Sequence, residues 1–326
     1  MTGLPRIVGV GINLPEKIVT NADLEKVVDT SDEWIASRTG IRARRIAEAG
    51  TTASQQGIPA ALAAMEEAGV GPADLDLILC ATSTPDMLFP STACLIQSGV
   101  GAAGCPAFDL LAACSGYVYA LSVAEMYIKA GQAKTVLIVA SEILSSTLDW
   151  TDRGTCVLFG DAAAATVVTL DESGAGVIGS KLAADGSYAE FLTVGVGSAN
   201  PYTAPGFNPT DSCLKMKGNS TFKLAIAKMS EVSADLLAAH GYTVDDVSLV
   251  VPHQANKRII DMVAKTLGLP DEKMFVNIDK YGNTSAATIP LALYEARQQG
   301  RIKPGDLIVT VALGGGFTWG ANLIRW

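Results

Sequence analysis

Three side chains sit where an apolar run gives way to a small-residue junction, and each can do chemistry there. In FDLLAACSGYVYAL (108–121) the run stops at Cys114 and a helix-like pattern begins. A thiol at a helix start meets unpaired backbone N–H groups and the positive end of the helix dipole, both of which favour the reactive thiolate. Free cysteine is also one of the most buried residue types, so core filler is the plain alternative. His253 follows an apolar run and a proline in LVVPHQAN, where it is either a proton-transfer partner for a nucleophile or a satisfied core histidine. Asn283 stands in YGNTSAA, which is ordinary turn and N-cap chemistry but also places an amide donor where an oxyanion could form. ALGGGFTWG (312–320) is too rich in glycine for a strand interior. It is a tight turn, or a loop whose N–H groups face a negative oxygen. The other cysteines, 80, 94, 105, 156 and 213, lack a comparable helix start, and His240, just before Gly241, reads as a helix-end residue.

These residues need elements to bring them together. DLILCATST (76–84), PAFDLLAA (106–113), KTVLIVASE (134–142), VSLVVPHQ (247–254) and DLIVTVALG (306–314) read as buried strands. Helical patterns over 53–69, 115–131, 222–241 and 285–300 each end at glycine. Alternation of this kind predicts an α/β fold with largely parallel sheets. AGVGPADLDLILCA (68–81) aligns with HGYTVDDVSLVVPH (240–253) without a gap, and the same offset lays KTVLIVA (134–140) on DLIVTVA (306–312). The intervening helices correspond with a small slip. Two matches at one offset predict a duplicated chain, with halves at 1–175 and 176–326, and a Pro/Asn-rich surface loop at 200–212. Chemistry in such sheets collects beyond the carboxyl ends of strands, which selects the exits at 81–90, 113–116, 253–256 and 314–318.

Composition narrows the function classes. The 326 residues are 49% hydrophobic and 17% charged, a globular balance long enough for two domains or one duplicated unit. A net charge of −9 disfavours nucleic-acid binding. Proline and charge interrupt the N-terminal stretch where an export signal would be apolar, and no run has the ~18–20 residues of a spanning helix. Six cysteines without a Cys-x-x-Cys pair predict reduced thiols in a cytoplasmic protein, and with only two histidines no metal site is expected. GVGAAG (99–104) follows a helix and precedes a strand, the reverse of a dinucleotide-binding turn. Neither a Gly-x-Ser-x-Gly elbow nor a phosphate-binding Gly-x-x-x-x-Gly-Lys is present.

DTSDEWIASRTGIRARR (29–45), AACSGYVYALSVA (112–124), TDRGTCVLFGDAAAA (151–165), VPHQANKRII (251–260), YGNTSAA (281–287) and GGGFTWG (314–320) together resemble the β-ketoacyl-acyl-carrier-protein synthase III family, in order and over almost the whole chain. The resemblance implies the thiolase fold, two similar α/β halves in five α-β-α-β-α layers. It also sorts relatives: elongating condensing enzymes use a Cys-His-His set, and thiolases a second cysteine near a C-terminal glycine loop, which ALGGGFTWG lacks.

The resemblance further implies a reaction. Cys114 accepts an acyl group, acetyl in the first instance, from acyl-CoA, while the N–H groups of Cys114 and Gly315 hold the oxyanion. Malonyl-acyl carrier protein then loses CO2 as His253 and Asn283 donate hydrogen bonds, and the carbanion attacks the acyl-cysteine. Trp34, Arg38, Arg153 and Asn219 match CoA-binding positions. Lys223, Lys257 and Arg258 match a face that docks acyl carrier protein. Phe89, reaching across a homodimer, joins Phe159 and Leu313 around the acyl pocket. A bulky Phe89 suggests a short primer, whereas Leu313 leaves room for slightly longer or branched ones. No cofactor or metal is implied, and no nucleic-acid or membrane partner. Two other readings stay open: a related acyltransferase or ketosynthase of secondary metabolism, and a catalytically silent subunit of the same fold.

Overall fold

The computed structural model describes residues 3–326. A first sheet takes β1 (Leu4–Asn13), β2 (Leu77–Ala81), β3 (Ala107–Leu110), β4 (Thr135–Glu142) and β5 (Ala162–Asp171), in the order β1-β5-β4-β2-β3. A second takes β6 (Gly176–Ala184), β7 (Leu249–Pro252), β8 (Leu307–Gly314) and β9 (Thr318–Arg325), in the order β7-β8-β9-β6. The expectation of largely parallel sheets needs correcting. β2 runs parallel to β3 and β4, and β7 to β8, but β1, β5, β6 and β9 pair antiparallel. None of those four appeared among the sequence-predicted strands.

The helices are α1 (Asp32–Thr39), α2 (Ala53–Ala68), α3 (Thr92–Val100), α4 (Gly116–Lys129), α5 (Gly218–Ala239), α6 (Lys257–Leu267) and α7 (Thr288–Gln298). Strand alternation decides which helix covers which face. Leu77, Leu79, Val136 and Ile138 face inward onto Tyr117, Leu121 and Ile128 of α4, in a core shared with Ile289 and Leu293 of α7 and with Leu249, Val251 and Ile308. Ile78, Cys80, Leu137 and Val139 face outward onto α2 and α3. Val250, Val309 and Val311 face outward onto α5 and α6. The result is five layers, with α4 and α7 sandwiched between the sheets. Asn322 polices the middle layer. Its amide donates to the Val118 carbonyl of α4 and to Ser180, and its oxygen accepts from Thr310, so a buried polar group is satisfied only when α4 sits in register on the second sheet.

The repeat carries through to element boundaries. β1 starts at residue 4 and β6 at 176, β2 at 77 and β7 at 249, α4 at 116 and α7 at 288, β4 at 135 and β8 at 307, each pair 172 residues apart. The slip between the two central helices, suggested by pairing 115–131 with 285–300, is therefore not present.

Candidate active site

Cys114 lies in a single 3-10 turn, Ala113–Ser115, between β3 and α4. The turn is forced by Ala113 at φ 46°, a left-handed value that costs a non-glycine residue about 1–3 kcal/mol. Ser115 locks it by donating to the Ala112 carbonyl at 2.7 Å and meeting Thr318 of β9 at 2.7 Å. Gly314, the last residue of β8, fits below: a side chain there would come within 2.7 Å of the Cys114 nitrogen. The thiol is buried, and burial pushes it up to about 12, while the side chains of Ser285 and Asn283 facing it act the other way. Desolvation thus works against the helix start, which by itself favours thiolate.

His253 directly follows β7, its N–H bonded to the Val311 carbonyl at 2.8 Å. Its ring is buried, which lowers its pKa to about 3 and keeps the imidazole neutral, and Nδ1 lies 2.7 Å from Thr288 Oγ1. The following residue, Gln254, is fully buried and clamps the loop by donating to the Pro252 and Phe275 carbonyls and accepting from Asn277 N–H. His240 stands apart at the end of α5, its ring lying where a Gly179 side chain would be.

Asn283 is pinned by its backbone, donating to Leu158 at 2.9 Å and accepting from Gly160 at 3.0 Å. Its Oδ1 accepts from Ser285 N–H at 2.9 Å, so the amide NH2 is the end left to donate. Ser285 repeats the left-handed turn of Ala113, with φ 50°, directly before α7.

The three side chains line one cavity of about 330 Å³. Trp34, Arg38, Asn219, Arg258, Phe159 and Leu313 line it as well. Arg153 is not among the lining residues but stacks over Trp34 at 5.3 Å, opposite Arg38 at 5.1 Å, and bonds to Asp29. Lys223 and Lys257 are exposed outside the cavity. Lys257 also meets Asp261 at 2.8 Å, an exposed pair one helical turn apart. Gly315 lies in the turn between β8 and β9 and does not line the cavity. Phe89 is 83% exposed and also lies outside it. Gly116 packs on Ala81 and Ala286.

Sequence reasoning passed over several lining residues. Phe222, Ala225 and Met229 form one helical face of α5, a spacing that was readable. Phe317 hides in the glycine loop, where no periodicity marks it. Glu142, at the end of β4, is fully buried. Its Oε2 accepts from Ser83 N–H and Thr84 Oγ1 while Oε1 has no partner, and burial raises its pKa.

Two mixed sheets around a helix pair, with a strained cysteine turn at their junction, define an enzyme of the thiolase fold. The comparisons identify which one. Residues 108–186 match the family model described as 3-oxoacyl-[acyl-carrier-protein (ACP)] synthase III, and residues 237–326 match that of its C-terminal part. The chain is 50% identical to the beta-ketoacyl-[acyl-carrier-protein] synthase III of Aquifex aeolicus (strain VF5), over 98% of this chain and 99% of that one. The crystal structure of 3-oxoacyl-[acyl-carrier-protein] synthase III from the same organism superposes with a TM-score of 0.93, covering 99% of this chain and 100% of that one at 49% identity. The priming β-ketosynthase of the R1128 polyketide pathway also superposes at 0.93, with 33% identity over 98% of this chain and 96% of that one. The chain belongs to the β-ketoacyl-[acyl-carrier-protein] synthase III family, the condensing acyltransferases that initiate fatty acid synthesis.

Proposed function

We propose that Cys114, His253 and Asn283 carry out the two half-reactions of this family. Cys114 attacks the carbonyl of an acyl-CoA, acetyl-CoA in the first instance. Backbone N–H groups of Cys114 and Gly315 stabilise the oxyanion, and CoA leaves. Malonyl-acyl carrier protein then loses CO2, with the Asn283 amide donating to its thioester oxygen beside His253. The resulting carbanion displaces Cys114 to give 3-oxoacyl-acyl carrier protein. The reaction draws only on its two thioester substrates and calls on no cofactor. The observation that carries this reading is the shared cavity, with the Asn283 amide oriented to donate by its bond from Ser285.

Trp34, Arg38 and Arg153 form the CoA-binding mouth, with Asn219 along the pantetheine. Arg38 and Arg153 already stack on the indole, so the guanidinium groups shift when the adenine arrives. Acyl carrier protein docks on Lys223, Lys257 and Arg258, a small basic patch on an acidic chain, so docking weakens with salt. Phe159 and Leu313 shape the acyl end. Phe89 completes it across a homodimer, a placement supported by Leu88 at 92%, Phe89 at 83% and Leu111 at 77% exposure beside edge strand β3. The halves 1–175 and 176–326 each supply one sheet, Cys114 coming from the first and His253 and Asn283 from the second. Among the described residues no helix is long and apolar enough to cross a membrane, and we place the enzyme in the cytoplasm.

Intact-mass analysis after incubation with a panel of acyl-CoAs, followed by a chase with malonyl-acyl carrier protein, tests the reading. A discharged acyl adduct on Cys114 is expected, and Cys114→Ala should show none. Adducts that form but never discharge would favour an acyltransferase of another pathway, and no adduct at all would favour a silent subunit.

A further inference from the structure

Two hydroxyls tie the cysteine turn across the molecule. Ser115 Oγ lies 2.7 Å from the Ala112 carbonyl oxygen, Thr318 Oγ1 lies 3.0 Å from the same oxygen, and the two hydroxyls meet at 2.7 Å. Ser115 N–H donates to that carbonyl as well, at 3.1 Å. A carbonyl oxygen has two lone pairs, so the N–H takes one and a single hydroxyl proton takes the other. The second hydroxyl then donates to the first, and the two bond in series. In either order the chain closes on Thr318, which opens β9 and stands 203 residues from Ser115. With Thr318 gone, both Ser115 donors still reach Ala112, so the turn keeps its own shape. What Thr318 adds is a link to the glycine loop. It pairs with Gly314 in the β8–β9 ladder, and Gly315 lies between the two in the chain. Packing at Gly314 sets how close the loop can come to the turn. The hydroxyl chain stops it from drifting away.

We infer that Thr318 is a positioning residue that holds the glycine loop against the cysteine turn and so sets the spacing of the two oxyanion donors, the N–H groups of Cys114 and Gly315. This rests on the reaction proposed above. Such a pair works only when both donors reach one oxygen at hydrogen-bond distance. One donor comes from the turn and the other from the loop, so their separation is a property of the contact between turn and loop. The oxyanion forms on the carbon bonded to Cys114, during acylation and again when the carbanion attacks. Decarboxylation builds its charge elsewhere, on the malonyl thioester oxygen beside Asn283. Thr318 therefore serves the first two events and not the third. The thiol is presented by the turn alone, so its reactivity toward an electrophile that forms no oxyanion is independent of Thr318.

The test sets single-turnover acylation by acetyl-CoA, read by intact mass, against alkylation by iodoacetamide, followed at the Cys114 peptide. Alkylation joins Sγ to the methylene carbon as iodide leaves, and no oxyanion forms. Thr318→Val removes the hydroxyl and should slow acylation about 10- to 100-fold, the cost of misplacing a donor rather than deleting it. Alkylation and malonyl-acyl carrier protein decarboxylation should stay close to wild type. Thr318→Ser keeps the hydroxyl and should restore acylation, and Thr318→Ala makes the same test as valine without a methyl facing Ser115. Ser115→Ala leaves Thr318 its direct bond to Ala112 and should slow acylation less than Thr318→Val. Unchanged acylation in Thr318→Val and Thr318→Ala overturns the inference. So does an equal loss of acylation, alkylation and decarboxylation, which a merely structural role gives, or a larger loss in Ser115→Ala, which would place the effect inside the turn. A failure of the proposed reaction itself is told apart, because it appears as no acyl adduct on Cys114 in the wild type.

Discussion

Deleting the Asn283 amide removes the donor proposed to meet the thioester oxygen while leaving the thiol and imidazole in place. Asn283→Ala should therefore cost condensation about 2.7–4 kcal/mol, some 10²–10³-fold, with acylation of Cys114 largely kept. Steady-state turnover set against the intact-mass rate separates the two. The neighbouring pair carries its own signature. With the Cys114 thiol pushed up to about 12 and the His253 imidazole down to about 3, neither group changes charge between pH 5 and 9. Single-turnover acylation should be level across that range, and a limb near pH 6.5 would show that His253 titrates as an exposed imidazole does. Glu142 adds a stability effect. Its folded-state pKa lies above the ordinary 4.5, so the native chain holds a proton that the unfolded chain releases. Its contribution is full below that pH and is lost as pH rises toward the folded value. Glu142→Gln should therefore lose less stability than the wild type as pH rises above the ordinary carboxylate range, in urea titrations at acid and at neutral pH.

Among the elements, the end of β8 and the cysteine turn meet backbone to backbone at Gly314. An added methyl there would lie 2.6 Å from the Ala112 carbonyl and 2.7 Å from the Cys114 nitrogen. Gly314→Ala should cost about 1–3 kcal/mol of stability and displace the nucleophile, visible as a lower denaturation midpoint and a slower adduct. This contact also marks where sequence reading stops. The buried strands and their helices were legible, since Leu77–Ala81 is an unbroken apolar run and Leu307–Gly314 is interrupted only by Thr310. β1, β5, β6 and β9 were not. β5 opens on AAAA, and β1, β6 and β9 carry glycines, which dilute the signal that flags a strand; pairing with a neighbour decides them. Likewise Cys114, His253 and Asn283 were readable as junction residues, but Gln254 was not. Its clamp comes from hydrogen bonds to Phe275 and Asn277, backbone remote in sequence, which spacing cannot reveal.

For the molecule as a whole, the decisive surface is the one around β3. Leu88, Phe89 and Leu111 are more exposed than a lone soluble subunit usually keeps large apolar groups together. On the homodimer proposed above, Leu88→Arg should shift sedimentation from dimer to monomer and, because Phe89 would no longer reach its neighbour, lower acylation as well. A monomer with undiminished acylation would detach Phe89 from the acyl pocket. The same scale holds the 172-residue repeat, and with it the two left-handed turns at Ala113 and Ser285. One copy of the turn presents Cys114. The other, at the matching place, presents Ala286, and two residues on, the Gly116 of the first copy is answered by Thr288 in the second. The symmetry is thus put to unequal use: one wrung hinge, made twice, carries a thiol in the first half and only a methyl group in the second.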